Sequence, residues 1–383
     1  MSTRRNILWV VTTQWRGQAW GGGGDGNAST PFLDRLAKEG INYRQATTPH
    51  PFGPFARAAM LTGLPSPENG VKDYFDPLPT DARTIAHDMN EGGYETAYFG
   101  KWHLAHRDPQ ADLVGETHAR TLVQPKERGG FSFWEGFESG FQLNDPWLHG
   151  TRIAKPRRFT GYQSDVVCER AAEWLRKRAG WFAIVSLEAP HPPYDAEIPE
   201  GIEKLDAQVI SLRTNVPRGG DVERRARNEL AGYYGHIAAT DRAVGRLVQS
   251  LSAETIVVVT SVHGDMHGSH GKFRKGWPHE ESVRVPLVVR GEGAGASDAL
   301  VSLLDLPEMT RAWSRGQTWQ CERAAAPISM PSVVALPDQG DRVWAGWRTA
   351  TEKRVFNEDG SPWLSFDLGD DPEELRNRTS PGS

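Results

Sequence analysis

Short apolar runs that each close on polar residues, separated by stretches of helical periodicity, constrain this chain more than any other feature. Residues 7–11 (ILWVV) form one such run, and residues 94–99, 181–187, 255–260 and 285–289 form others. An unbroken run of this length, rich in β-branched and aromatic side chains, suits a parallel strand covered on both faces. Residues 171–178 and 233–251 carry amphipathic helical patterns, and Thr30 followed by Pro31 predicts a helix start with Thr30 as its N-cap. Strands alternating with helices predict an α/β fold with a doubly wound, mostly parallel sheet, whose ligands bind beyond the carboxyl ends of the strands. The positions of interest are therefore 12–14, 100–103, 188–194 and 261–270.

This alternation occupies residues 1–300, predicted as one α/β domain. From 301 to 383 the pattern changes to a helix, Pro- and Gly-bearing loops and short strands around Asp359-Gly360, predicting a small C-terminal antiparallel α+β subdomain. Residues 21–24, four glycines, lack the GK[ST] ending of a phosphate loop and read as a flexible surface loop.

The chain carries 44 basic and 49 acidic residues, a formal net charge of −5, so no global positive field favours nucleic acid or an anionic membrane, and any anion site must be local. No run approaches the ~20 apolar residues that span a bilayer. The apolar stretch behind Met-Ser-Thr-Arg-Arg is too short for a secretion signal, so the mature chain is expected to start there. With Cys168 and Cys321 alone, a cytoplasmic, disulfide-independent protein is expected.

The polar clusters match, in order, the signature segments of one family. Residues 6–14 (NILWVVTTQ) look like its first strand and residues 30–40 (TPFLDRLAKEG) like its first helix. Residues 57–63 (RAAMLTG) resemble the helix after its nucleophile, and residues 100–104 its GKWHL segment. Residues 189–194 (APHPPY), 233–246 (YYGHIAATDRAVGR), His263-Gly264-Asp265 with Lys275 and Glu280-Glu281-Ser282, and 366–375 complete the series. The chain thus resembles the type I sulfatases and phosphonate monoester hydrolases of the alkaline phosphatase superfamily. The resemblance implies that superfamily's doubly wound sheet and an anion pocket formed by Arg57, Lys101, His103, His191, His263 and Lys275.

At three positions the chain departs from the family pattern. The family's nucleophile, a Cys or Ser converted to formylglycine within C/S-x-P-x-R, aligns with Gly53 in Gly53-Pro54-Phe55-Ala56-Arg57. Its metal-binding carboxylates align with Thr13 and Val262, leaving Gln14 and His263 beside them. A hard divalent cation wants several oxygen ligands, some anionic, so no metal or other cofactor is expected. Thr12 and Thr13 are weighed as replacement nucleophiles and read instead as neutral groups filling the vacated metal site.

The resemblance leaves three readings. The first is a repurposed, metal-independent enzyme acting on a small sulfated, phosphorylated or carboxylated metabolite, with His103, His191, His263 and Lys101 as catalytic groups and Arg57, Lys275, Thr13, Gln14, Gly53 and His50 around the substrate. The second is an inactive pseudosulfatase that binds an anion or a protein partner. The third is an active sulfatase or phosphoesterase using substitute ligands, for which His263, Asp265, His267 and His270 would be a replacement metal set. The expected partner is a small anion, with neither nucleic acid nor membrane, and a homo-oligomer is compatible.

Overall fold

The computed structural model describes residues 4–379; Met1–Thr3, part of the N-terminal stretch weighed as a signal, lie outside the described residues. Ten strands form the main sheet: β1 (Ile7–Thr12), β2 (Ile41–Thr47), β3 (Glu95–Lys101), β4 (Phe133–Phe137), β5 (Trp147–Gly150), β6 (Arg157–Arg158), β7 (Trp181–Ser186), β8 (Ile256–Ser261), β9 (Leu287–Arg290) and β10 (Gly295–Ser302). Their order is β10-β2-β9-β8-β1-β7-β3-β4-β5-β6. The centre, β8-β1-β7-β3-β4, is parallel throughout. β9, expected as one more buried strand of a mostly parallel sheet, is antiparallel to both neighbours.

Alternate residues of the central strands enter two separate cores, which is why the runs read as continuously apolar. Ile7, Trp9 and Val11 join the helices Gly53–Thr62, Ile85–Glu91 and Leu306–Ser314, whereas Leu8 and Val10 join Pro31–Glu39, Gln163–Leu175 and Asp221–Gln249. Thr30 precedes the first of these helices but does not cap it; the free amides of Phe32 and Leu33 donate to the buried Asp241 carboxylate at 2.9 and 2.8 Å. The Thr30 hydroxyl instead accepts from Gly21, and Asp34 accepts from Gly22. These contacts fasten the glycine run, read above as flexible, into a 3-10 turn over Gly21–Gly23.

A second, antiparallel sheet follows: β11 (Ala326–Met330), β12 (Trp344–Arg348), β13 (Glu352–Asn357) and β14 (Pro362–Asp367). Helix Leu306–Ser314, assigned from the sequence to the C-terminal unit, packs in the main layer, where Thr310 accepts from the Trp9 indole at 3.1 Å. A buried ion cluster joins the two parts: Lys353 bonds Glu280 (2.8 Å) and Glu374 (2.6 Å), and Arg348 bonds Glu280. Both cysteines are free. Among the described residues no helix is long and apolar enough to cross a membrane.

Candidate active site

The parallel strands end on one side of the sheet around a cavity of about 620 Å³. Thr13 follows β1, Lys101 and His103 close β3, His191 follows β7 and His263 follows β8; Gly53 opens its helix and Lys275 arrives from the loop after β8. All seven line the cavity. Two non-glycine residues at these strand ends, Gln14 (φ 72°) and His103 (φ 59°), hold left-handed backbone. Such conformations persist only where surrounding structure imposes them, and they gather at functional sites.

Three positions marked in the sequence do not reach the cavity. The Arg57 guanidinium is spent on Thr13 Oγ1 (2.8 Å), Ser186 Oγ (2.6 Å) and the Lys101 carbonyl (3.2 Å), tying the ends of three strands together. Gln14 is fully buried and places its amide between Lys275 and Asp265. His50 donates through Nδ1 to the Ser329 carbonyl (3.1 Å) and accepts the Ser66 amide at Nε2 (2.8 Å); burial pulls its pKa down to about 4.

Fixed neighbours set the histidine tautomers. A guanidinium only donates, so Arg107 Nη1, 2.8 Å from His103 Nε2, makes that nitrogen an acceptor and leaves the proton on Nδ1. Nδ1 is buried without a partner among the described residues and faces Gly53, where a Cβ would stand 3.0 Å from it. His191 donates from Nδ1 to the Pro192 carbonyl (2.7 Å), and its Nε2 accepts from Lys275 Nζ (3.0 Å). His263 donates from Nδ1 to the Gly264 carbonyl (2.9 Å), leaving a buried lone pair on Nε2 that has no partner among the described residues. Burial, reinforced by nearby Arg107 or Lys275, holds all three well below the usual histidine range, so they are neutral at pH 7.

The two buried lysines of the cavity differ. Lys101 pairs with buried Glu188 at 2.7 Å and lies 4.6 Å from the centre of the Phe141 ring. Lys275 donates to Gln14 Oε1 (2.7 Å) and His191 Nε2, both neutral acceptors. Burial lowers Lys101 to about 8 against the pull of Glu188, and lowers Lys275 to about 7 with help from the Lys101 charge. Glu188 and Arg107 were not singled out in the sequence, although Glu188 begins a polar cluster that was. Glu138, 3.4 Å from Arg107 Nε, is pushed up to about 7 by burial.

The divalent cation that the resemblance implies does not fit this donor set. Thr13 Oγ1 is consumed by Leu187 and Arg57, Val262 is a buried hydrocarbon, and the Gln14 oxygen already holds an amine. Asp265, the nearby carboxylate, is saturated by Gln14, the Tyr194 hydroxyl (2.5 Å) and the amides of His267 and Arg274. Nor do His263, Asp265, His267 and His270 converge as a replacement set. His267 packs against the Tyr194 and Tyr233 rings with Nε2 3.9 Å from Asp265, while His270 turns away to Glu281 and Glu374.

A side chain at position 53 would press on the His103 ring. Gly53→Ser is therefore expected to cost about 1–3 kcal/mol, as overpacking does, read by denaturant unfolding; an unchanged midpoint would show that His103 yields freely.

Comparison with known proteins places this geometry in a family. The family model described as Sulfatase matches residues 5–310. The chain is 34% identical over 305 residues to an ulvan-active sulfatase of Formosa agariphila, covering 76% of this chain and 57% of that one. It is 26% identical to an arylsulfatase of Clostridium perfringens, covering 97% of this chain and 89% of the relative. The fold superimposes on a putative sulfatase of Bacteroides fragilis (TM-score 0.83, 23% identity, 98% of this chain and 91% of that one). It also matches the phosphonate monoester hydrolase of Agrobacterium radiobacter (TM-score 0.73, 22% identity, 98% and 91%). The chain spans little more than half the length of the ulvan-active relative, and the residues matched by the family model, 5–310, include every strand end described above. It belongs to the sulfatase family and has that family's alkaline phosphatase-like fold.

Proposed function

We propose that this protein is a repurposed sulfatase-family enzyme that works without a metal on a small anionic metabolite: sulfated, phosphorylated or carboxylated. One observation carries the reading. Lys275, with an amine and no carboxylate partner among the described residues, bonds the side-chain oxygen of Gln14, next to the position where the family places a metal-binding carboxylate. Cations and N–H donors (Lys101, Lys275, His103 Nδ1) line the floor, and an anionic ligand supplies the missing counter-charge. The relatives are sulfatases, which is consistent with an ancestral anion pocket.

In this reading Lys101 and Lys275 hold the anion and stabilise charge that develops on it, and His103 donates from Nδ1. His263, with its free Nε2 lone pair, is the group able to take a proton from a bound ligand. Gly53 offers no nucleophile, which favours a second reading as a binding protein without turnover. His263→Ala separates them: an enzyme loses rate at unchanged affinity, whereas a binder has no rate to lose.

Protein purified without chelator should carry far less than one equivalent of metal by elemental mass spectrometry. Sulfate affinity, measured by calorimetry, should be unmoved by EDTA, and aryl sulfates and phosphonate esters should not be hydrolysed. Stoichiometric metal together with chelator-sensitive hydrolysis would overturn the proposal.

A further inference from the structure

We propose that Lys275 is an amine nucleophile that condenses with the carbonyl carbon of an oxo acid, forming an imine at the cavity floor. This rests on the anion-binding reading above and adds a covalent step to it. Of the two buried lysines among the three that line the cavity, Lys101 has a carboxylate at 2.7 Å, and Lys275 has none among the described residues; Lys204 is exposed. The bonds of Lys275 to Gln14 Oε1 and His191 Nε2 use two N–H groups and orient the nitrogen. Its remaining position, a third proton or a lone pair, is left for the cavity that the residue lines.

Burial and the neighbouring Lys101 charge bring Lys275 to about 7, so a large fraction is neutral amine at physiological pH. A desolvated lysine beside a second cation is an established way to prepare an amine for carbonyl chemistry. The remaining groups suit a carbonyl compound that also carries an acid. His103 Nδ1–H donates to the carbonyl oxygen, Lys101 faces the carboxylate, and the rings of Phe52, Tyr74 and Phe141 leave room for an apolar substituent.

The step balances with no further reagent. The Lys275 lone pair attacks the carbonyl carbon, and the C=O electron pair moves to oxygen. The nitrogen gives one proton to His263 Nε2, which passes it to that oxygen and leaves a neutral carbinolamine. The second N–H proton then goes to His263 and on to the hydroxyl, which departs as water while the nitrogen lone pair closes the C=N bond.

The test is reductive trapping. The wild-type protein is incubated with glyoxylate, pyruvate or benzoylformate and sodium cyanoborohydride, then examined by intact mass and peptide mapping. One adduct on Lys275, suppressed by sulfate and absent from Lys275→Met that unfolds cooperatively, is the expected result. Labelling confined to exposed lysines, with sulfate still binding, overturns the imine and leaves the anion pocket standing. Absence of both sulfate binding and labelling overturns both.

Discussion

Replacing Glu188 with leucine should lower the unfolding free energy by about 3–5 kcal/mol at pH 7, the range found when one partner of a buried ion pair is removed. Lys101 and Glu188 are both buried, and among the described residues no second carboxylate bonds the Lys101 amine. Without Glu188, Arg57 and Arg107 remain to repel the Lys101 charge, so the lysine sheds its proton at a lower pH than the wild-type value of about 8. The sign of the pH dependence follows. A lysine whose folded pKa lies below its unfolded value binds fewer protons folded than unfolded, so stability rises with pH between the two values. The variant has the wider window and gains more, so its deficit should shrink as pH rises toward about 10, where the unfolded lysine also loses its proton. Guanidinium unfolding at the two pH values checks this. A deficit below about 1 kcal/mol, or one independent of pH, would show that the pair is not what holds this side of the pocket together.

The dependence on one carboxylate illustrates what local sequence can and cannot express. The strands were readable because burial on both faces forces an unbroken apolar run, and the site was readable because parallel strands deliver the residues after them to one side. Thr13, Lys101, His103, His191 and His263 each follow or close such a run, and each lines the cavity. Arg57 could not be judged this way. Whether its guanidinium faces a ligand or ties strand ends together depends on Thr13, Ser186 and the Lys101 carbonyl, residues 44 to 129 positions distant in sequence. The same holds for Thr30, whose expected capping role is taken by Asp241 from the long helix.

The histidine-rich loop makes a related point about geometry. His263, Asp265, His267 and His270 have the composition of a metal site, but composition does not set direction. Left-handed backbone at His267 (φ 44°) and His270 (φ 54°) splays the chain, sending one ring between two tyrosines and the other toward Glu281. Asp265, a member of the expected metal set, is instead the acceptor that holds Gln14 and Tyr194 in place. Gln14 in turn presents its oxygen to Lys275, so a single saturated carboxylate orients the chain of bonds that ends in the cavity amine.

That amine gives the second large effect. Sulfate keeps its charge across neutral pH, so any change in its affinity reports the protein. Lys275, near 7, is a cation below that value and a neutral amine above it. If sulfate needs the cation, its affinity follows the protonated fraction, and this titration alone lowers it about 100-fold between about pH 6 and pH 9. Other groups around the floor bear on the curve to different extents. Arg274 stays charged, His103, His191 and His263 stay neutral, and Asp265 stays ionised throughout. Lys101, near 8, and Glu138, near 7 behind Arg107, act in the same direction as Lys275, the first by losing positive charge and the second by gaining negative charge. Lys275→Met separates these contributions. Its affinity at pH 6 should drop at least tenfold, the loss of one close opposite charge at low dielectric, and the residual fall toward pH 9 should be about tenfold. Calorimetric titration of both proteins across that range decides the matter: equal slopes would mean that Lys275 is not the cation the anion meets.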